Sequence, residues 1–343
     1  MDLPVSGHPL HTRALTLVVS ELGGGRVRVL GSVIDLRKSG FTPMFGDVQP
    51  AGLIHDMEID ARVELATGRL EQLATTQRRV AVEPAPITRG ESCRDPAPRL
   101  QALVGRQIDG DFGRELAAVH GGPRGCSHLL ILFQLIADAL PGALEREREL
   151  RRKGLVRRER EGIFRRSLLF DGVLAAQPTL QLAVQLGDWH NAADDGERQP
   201  AERLVHVHEV RVLAELDLTT GRLARAQAAE RPRADTWTIP PWTDRSADAS
   251  AIVGQPILPG LGSFVLRQFA APDQRMLAHA LLHLAPGFVQ CTALFAERTA
   301  RGGGSAREAL PFPTGGYTNS CYMWRAEGPL VQLRTRRAGG EEP

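Results

Sequence analysis

The sequence predicts an α+β fold built from two homologous repeats, each an antiparallel sheet with helices on one face, related by a pseudo-two-fold axis. Three observations predict it. In each half, segments that alternate apolar and polar residues precede helical segments. Ile54–Leu70 (IHDMEIDARVELATGRL) aligns without a gap with Val207–Leu223 (VHEVRVLAELDLTTGRL), at an offset of 153 residues. The 343 residues, 42% of them apolar, are enough for two soluble globular domains.

The same offset of 153 relates two further pairs of residues, Arg13 to Arg166 and Asp35 to Asp188. These matches fall in the same order along both halves, which favours a duplication over chance. The predicted organisation is repeat one at 1–144, which bears the candidate site, a charged connector at 145–161, a degenerate repeat two at 162–300, and a C-terminal tail at 301–343 that packs on a site. The mixed charges of the connector predict a solvated helix.

The elements of repeat one follow from their periodicity and from their helix breakers. Alternating residues predict strands at 26–36, 58–65 and 71–80, with TGRL as a tight turn before the third. His11, Thr12 and Arg13 come at the start of a strand. Residues 83–98 contain four prolines, which lack backbone donors, and are therefore predicted to be a loop. Helices are predicted at 100–104, 113–120 and 127–140.

Composition and charge exclude several classes of protein. A formal net charge of +2 argues against a nucleic-acid partner or a membrane surface. The most apolar run, 129–140, has 12 residues, whereas a membrane-spanning helix needs about 20. No export signal is recognised, so the four cysteines predict free thiols or metal ligands in a reducing cytoplasm. We expect a cytoplasmic protein with a small-molecule substrate; a homo- or hetero-oligomer is left open.

Repeat one contains the residues of a candidate metal site. His55 opens a strand, Cys93 lies in the proline-rich loop, and Cys126 lies where a loop enters the long helix. Two thiolates and an imidazole suit zinc or iron, with Asp56 or His128 as a fourth ligand. The alternative is that the cysteines only fill the core or a loop and the histidine only the surface.

Repeat two preserves this set incompletely. His208 and Cys291 recur, whereas Trp242 occupies the position that matches Cys93. One complete and one broken set are expected if a paired ancestor retained a single working site. We therefore place the site in repeat one.

Other residues are candidates for catalysis and for substrate binding. Asp56 and His128 are candidate acid–base groups, and Arg13 or Arg124 could hold a carboxylate. The tail segment YTNSCYMWR, together with the strand-like residues 329–333, has no counterpart in repeat one. Its candidate pocket residues are Asn319, Cys321 and Tyr322; the alternative is an ordered C-terminal strand packed by aromatic residues.

Several common enzyme motifs are absent from the sequence. There is no GxSxG elbow and no HExxH helix, which removes the usual serine hydrolase and zinc protease interpretations. The glycine clusters at 23–25 and 302–304 lack the spacing of nucleotide-binding loops.

Five sequence pieces resemble the bacterial family called domain of unknown function 2889. They are HTR near the start, HDM before a strand, a cysteine in a proline-rich loop, RGCSHL at a helix start, and an NSCYMWR-type tail. The resemblance covers most of repeat one and the tail, and it implies ligand candidates but no reaction. The order His55–Asp56, Cys93, Cys126 also resembles that of iron–sulfur cluster scaffold proteins, although His55 replaces a thiol.

These observations favour a metal- or thiol-dependent enzyme of the lyase or hydrolase type that acts on a small aromatic or acyl metabolite in a catabolic route, with zinc or iron as the candidate cofactor. Two alternatives remain: a non-catalytic metal or iron–sulfur carrier, and an accessory partner of another enzyme.

Overall fold

The computed structural model describes residues 5–40, 42–44, 47–175, 179–193, 196, 203–233, 240–294 and 316–338. Their dominant feature is one nine-stranded sheet in which every neighbouring pair of strands is antiparallel. The strands are β1 (His8–Gly23), β2 (Arg26–Arg37), β3 (Thr42–Met44), β4 (Asp47–Gln49), β5 (Gly52–Glu64), β6 (Leu70–Arg79), β7 (Gly162–Leu174), β8 (Thr179–Asn191), β9 (Leu204–Asp217), β10 (Arg222–Arg233) and β11 (Thr243–Asp244). Their order is β11-β10-β9-β8-β7-β1-β2-β5-β6, while β3 and β4 form a separate hairpin.

The antiparallel sheet and its alternating strands are confirmed. One difference is that β1 begins at His8, so that His11, Thr12 and Arg13 lie inside a strand. His11 and Arg13 occupy positions that face the core, where both are buried. Polar residues at core-facing positions interrupt the apolar alternation from which a strand is recognised.

The helices of the first half lie on one face of this sheet. The described helices are α1 (Phe112–His120), α2 (Ser127–Arg152), α3 (Ser246–Ala249), α4 (Leu261–Gln268), α5 (Arg275–Leu282), α6 (Leu284–Cys291) and α7 (Pro329–Ala338). α2 packs so closely on β2 that a Cβ built on Gly31 would meet Ile136 at 3.0 Å and Leu132 at 3.2 Å. A glycine here allows the helix to approach the sheet. The short helix expected near 100–104 is a 3₁₀ helix, Ala97–Leu103.

The two halves of the sheet meet where β1 pairs with β7. Leu15 lies opposite Leu168 in this pairing. α6 packs on the same face of the sheet as α2, because a Cβ on Gly172 would meet the Cys291 sulfur and one on Gly287 would meet the Phe170 ring. The apolar core is therefore continuous across the junction.

The connector and the tail depart from expectation. α2 continues to Arg152 and absorbs the first part of the connector. The connector is not fully solvated: Glu147 forms an ion pair with Arg157 at 2.6 Å, and both side chains are completely buried. The strand-like residues 329–333 belong to helix α7 instead. In short segments apolar residues suit either state, and packing decides between them.

By length and composition alone, α2 is the described helix that could cross a membrane. In its most apolar window, 56% of the residues are buried inside the protein. A buried core helix has the same composition, so this is weak evidence for a membrane span.

Candidate functional site

The centre of the candidate site is the buried carboxylate of Asp35, on the face of β2 that α2 covers. Arg13 donates to both of its oxygens, from Nε at 2.8 Å and from Nη2 at 3.0 Å. Three imidazole nitrogens also contact it: His11 Nε2 at 2.8 Å, His55 Nδ1 at 3.0 Å and His128 Nε2 at 3.3 Å. One carboxylate therefore orients a guanidinium and three imidazoles.

Asp35 is ionised in this environment. Burial alone would raise its pKa, but the positive charge of Arg13 and the imidazole hydrogen bonds outweigh burial and hold the pKa well below its usual range. Because Arg13 balances this charge, Arg13 is a positioning residue rather than a free carboxylate binder. A catalytic role for Arg13 stays a prediction.

A cavity of about 140 Å³ lies beside His55 and His128, two of the histidines that contact Asp35. It is lined by the end of β2, the start of β5 and the start of α2, by Gln49 and residues between 81 and 96, and by the tail around the 3₁₀ turn Tyr322–Trp324. The second half contributes Val289, Gln290, Thr292 and Ala293 at the end of α6. Its reactive and charged lining residues are Arg37, His55, Cys93, Cys126, His128 and Cys321. Mostly apolar walls with a few convergent polar groups are typical of a small-molecule site.

Cys126 and His128 of the cavity lining form a line with Asp35 that leads from the cavity to the core. Cys126 immediately precedes α2, and its sulfur lies 4.0 Å from Nδ1 of His128. The other ring nitrogen of His128, Nε2, contacts Asp35. A thiol, an imidazole and a carboxylate in this order have the arrangement of a nucleophile, a base and the group that orients the base.

At neutral pH this thiol and imidazole are uncharged. Burial raises the pKa of Cys126 to about 12, although the backbone N–H groups of Leu129 and His128 oppose this shift. Burial, and then the neighbouring His55, lower the pKa of His128 to about 3. The proton therefore remains on sulfur until a substrate draws electrons from it.

His55 also lines the cavity. Its Nδ1 contacts Asp35, which leaves Nε2 as the nitrogen that can act as a base or ligand. Its ring stacks on His128 with the ring centroids 3.6 Å apart. Among the described residues, ligand atoms of Asp35, His55 and His128 all lie within 4.8 Å of one another. This group contains one member, His55, of the metal set expected from the sequence.

The other two members of that set, Cys93 and Cys126, line the same cavity, and so does Cys321. Charge on either Cys126 or Cys321 would raise the pKa of Cys93 beyond the effect of burial. All three are free thiols. The tail carries Cys321 to this site, since the N–H of Tyr322 donates to the carbonyl of Gly125 at 2.8 Å.

Three predicted site residues lie elsewhere. Asp56 is on the other face of β5 from His55, and its carboxylate accepts from Arg78. Arg124 is exposed and donates to the carbonyl of Ala117. Asn319 adopts a left-handed turn conformation with φ 65° and accepts from the N–H of Ala326. Strand alternation and turn geometry direct these side chains away from the cavity.

Sequence reasoning missed Asp35 and Arg37 as site residues. The sequence did hold a sign of Asp35, because Arg13 and Asp35 recur as Arg166 and Asp188. In the structure the second pair is also bidentate, with both contacts at 2.7 Å. Arg37 had no such sign, because its place at the cavity depends on its hydrogen bonds to Gln49 in β4.

Cys126 and Cys291, which recur in the sequence comparison of the two halves, do not occupy equivalent positions in the structure. Cys126 precedes a helix, whereas Cys291 is the last residue of α6 and lies 3.5 Å from the carbonyl of Gly287. The two thiols therefore occupy opposite ends of their helices.

Comparison with known proteins supports the resemblance for part of the chain. Residues 11–140 match the family described as Protein of unknown function (DUF2889). The match includes Asp35, His55, Cys93, Cys126 and His128 and ends before the tail. No curated protein and no solved structure matches the chain. The resemblance to iron–sulfur scaffold proteins stays a prediction.

Proposed function

Taking the line Cys126–His128–Asp35 as the premise, we propose that the protein is a thiol-dependent enzyme of the hydrolase type that acts on a small acyl or aromatic metabolite. The observation that carries the proposal is the position of His128 between a cavity-lining sulfur and an ionised carboxylate. The 4.0 Å separation of sulfur and ring nitrogen is long for a hydrogen bond, as is common before substrate binds.

The proposed reaction begins with attack of the Cys126 sulfur on a carbonyl carbon of the substrate. The sulfur–hydrogen bond breaks and its proton passes to Nδ1 of His128, while a carbon–sulfur bond forms. Asp35 stabilises the resulting imidazolium. The leaving group departs with that proton, and water then hydrolyses the thioester and restores the thiol.

Esters of p-nitrophenol test this proposal. We expect wild-type protein to hydrolyse p-nitrophenyl acetate or benzoate and to carry a transient acyl adduct on Cys126, observed by mass spectrometry. Cys126→Ser should lose both the adduct and the hydrolysis. Cys291→Ser is the matched control, since Cys291 is also buried but lies outside the cavity lining. Undiminished hydrolysis by Cys126→Ser would contradict the proposal.

A metal centre is the second candidate, and one specific observation favours it. Donor atoms of Asp35, His55 and His128 lie within 4.8 Å of one another, and the thiols of Cys93 and Cys126 line the adjoining cavity. His55 and His128 of this group, together with the thiolates of Cys93 and Cys126, would be the ligands of zinc or iron. The metal could polarise a carbonyl or activate water. Because burial raises the pKa of both thiols, metal would have to displace their protons.

Metal analysis of protein produced with added zinc or iron tests this candidate. Cys126→Ser should lose most of the bound metal because it removes a ligand, whereas Cys291→Ser should lose none. Equal metal contents in the two variants would argue against a centre at this cavity. Metal that transfers readily to a chelator would favour a carrier over an enzyme.

The duplication is also part of the proposal. The central pairing of Leu15 with Leu168 joins residues 153 positions apart, as an axis between equivalent strands requires. Isolated bridges recur as well, Arg69 with Gln107 and Arg222 with Pro256. These features support a pseudo-two-fold relation between two homologous halves.

The contacts of the second half differ from those of the first, which favours a single working site. Position 208 matches His55 by the same offset, but His208 is paired with Glu230 rather than with Asp188. The proposal thus assigns catalysis to the first half of a cytoplasmic protein whose partner is a small molecule rather than a nucleic acid or a membrane.

A further inference from the structure

We propose that Arg37 binds a carboxylate of the substrate, so that the enzyme acts on an organic acid small enough for the cavity. This inference rests on the proposed function, because it names the substrate class of the same site. It differs from the sequence expectation, in which Arg13 or Arg124 would hold the carboxylate.

Arg37 is held rigidly at the cavity wall. It ends β2, is 7% exposed, and lines the cavity. Its Nη1 donates to the carbonyl of Gln49 at 2.7 Å and its Nη2 to Oε1 of Gln49 at 3.1 Å. Gln49 in turn donates to the carbonyl of Ala81 at 2.9 Å. These contacts fix the guanidinium in advance, which reduces the entropy lost on binding a ligand.

One donor of this guanidinium is left over. The buried Nε of Arg37 has no hydrogen-bond partner among the described residues. Buried donors without a partner are rare and costly. A carboxylate can accept from Nε and from a remaining N–H on the same edge of the guanidinium.

Among the described residues, the carboxylate that acts on the charge of Arg37 is that of Asp35. Asp35 is already paired with Arg13 in two hydrogen bonds. Burial lowers the pKa of Arg37 to about 10, so the group remains a cation at neutral pH. The thiols of Cys93, Cys126 and Cys321 are protonated because burial raises their pKa. A buried cation that shares one carboxylate with a second cation is unfavourable, and an anionic ligand would supply a further negative charge.

The volume of the cavity and its apolar walls restrict which anions can bind beside Arg37. The cavity of about 140 Å³ has mostly apolar walls, and an engineered apolar cavity of about 150 Å³ is known to hold benzene. A single aromatic ring or a short acyl chain therefore fits beside Arg37. By the offset of 153, the second half has His190 at this position. The anion site is thus a feature of the first half.

Benzoate and its neutral analogue benzamide test the inference by titration calorimetry on the full chain at neutral pH. We expect wild type to bind benzoate, and to bind it more tightly than benzamide. Arg37→Met should weaken benzoate binding by roughly 10- to 100-fold, as the loss of hydrogen bonds to a charged group predicts. Arg37→Lys should retain part of the affinity, and Arg124→Met, the matched arginine outside the cavity lining, should retain all of it.

Two outcomes overturn the inference: equal benzoate affinities of wild type and a folded Arg37→Met or Arg37→Lys variant, or no binding of benzoate, phenylacetate or hexanoate to wild type. Cys126→Ser separates this inference from the proposed function. If Arg37-dependent benzoate binding is observed but Cys126 proves dispensable for ester hydrolysis, the carboxylate site stands and the thiol mechanism fails.

Discussion

Asp35→Asn should lower the free energy of unfolding by roughly 3–5 kcal/mol, the usual loss when one partner of a buried ion pair is removed. Asn has nearly the same shape, so the effect isolates the charge. The variant leaves the cation of Arg13 buried without its partner, and Arg13 is only 3% exposed. Urea unfolding followed by circular dichroism measures the loss.

Asp188→Asn is the matched control for this prediction. It breaks the corresponding ion pair with Arg166, but the Asp188 side chain is 13% exposed, whereas that of Asp35 is 0% exposed. We expect a smaller loss of stability and unchanged benzoate binding, because Asp188 orients no cavity imidazole. An Asp35→Asn protein as stable as wild type would show that Arg13 finds another partner or water.

The second large effect is acid instability that sets in below pH 6.5. Burial lowers the pKa of His120 to about 4, and those of His128 and His283 to about 3. Between these values and the ordinary 6.5, the imidazoles are protonated in the unfolded chain and neutral in the folded one. Unfolding then takes up protons, so the free energy of unfolding falls as the pH falls.

The magnitude of this loss is comparable to the stability of a whole domain. At pH 5 each such group should cost about 2 kcal/mol, and the three together about 6 kcal/mol, against typical totals of 5–15 kcal/mol. His120 adds a local effect, because its Nε2 accepts the N–H of Cys126 at 3.0 Å and protonation would break this contact. As the pH falls, we therefore expect the start of α2 to lose this hydrogen bond before the whole protein unfolds.

Chemical unfolding at a series of pH values from 7.5 to 4.5 measures this dependence. His283→Gln, which cannot titrate, should reduce the slope between pH 6 and 5 by about 1.2 kcal/mol per pH unit. His8→Gln is the control, because His8 is exposed in the folded protein. A wild-type stability that is flat from pH 7 to pH 5 would refute the prediction.

The sequence by itself determined the antiparallel strands, the proline-rich loop and the long buried helix, and it predicted a site in the first half. Each of these depends on patterns within one segment: alternation in 58–65, prolines in 83–98, and helical apolar spacing in 127–140. The separate positions of His55, Cys93 and Cys126 could also be marked, since thiols and imidazoles are few. Only the tertiary structure decided that these residues share a cavity with His128 and Cys321, and that Asp56, Arg124 and Asn319 do not. Side-chain direction depends on register and on turn conformation, and convergence depends on contacts between distant segments. For the same reason the central carboxylate, Asp35, and the Nε of Arg37 that has no partner among the described residues emerge only once strands, loop and tail are packed together.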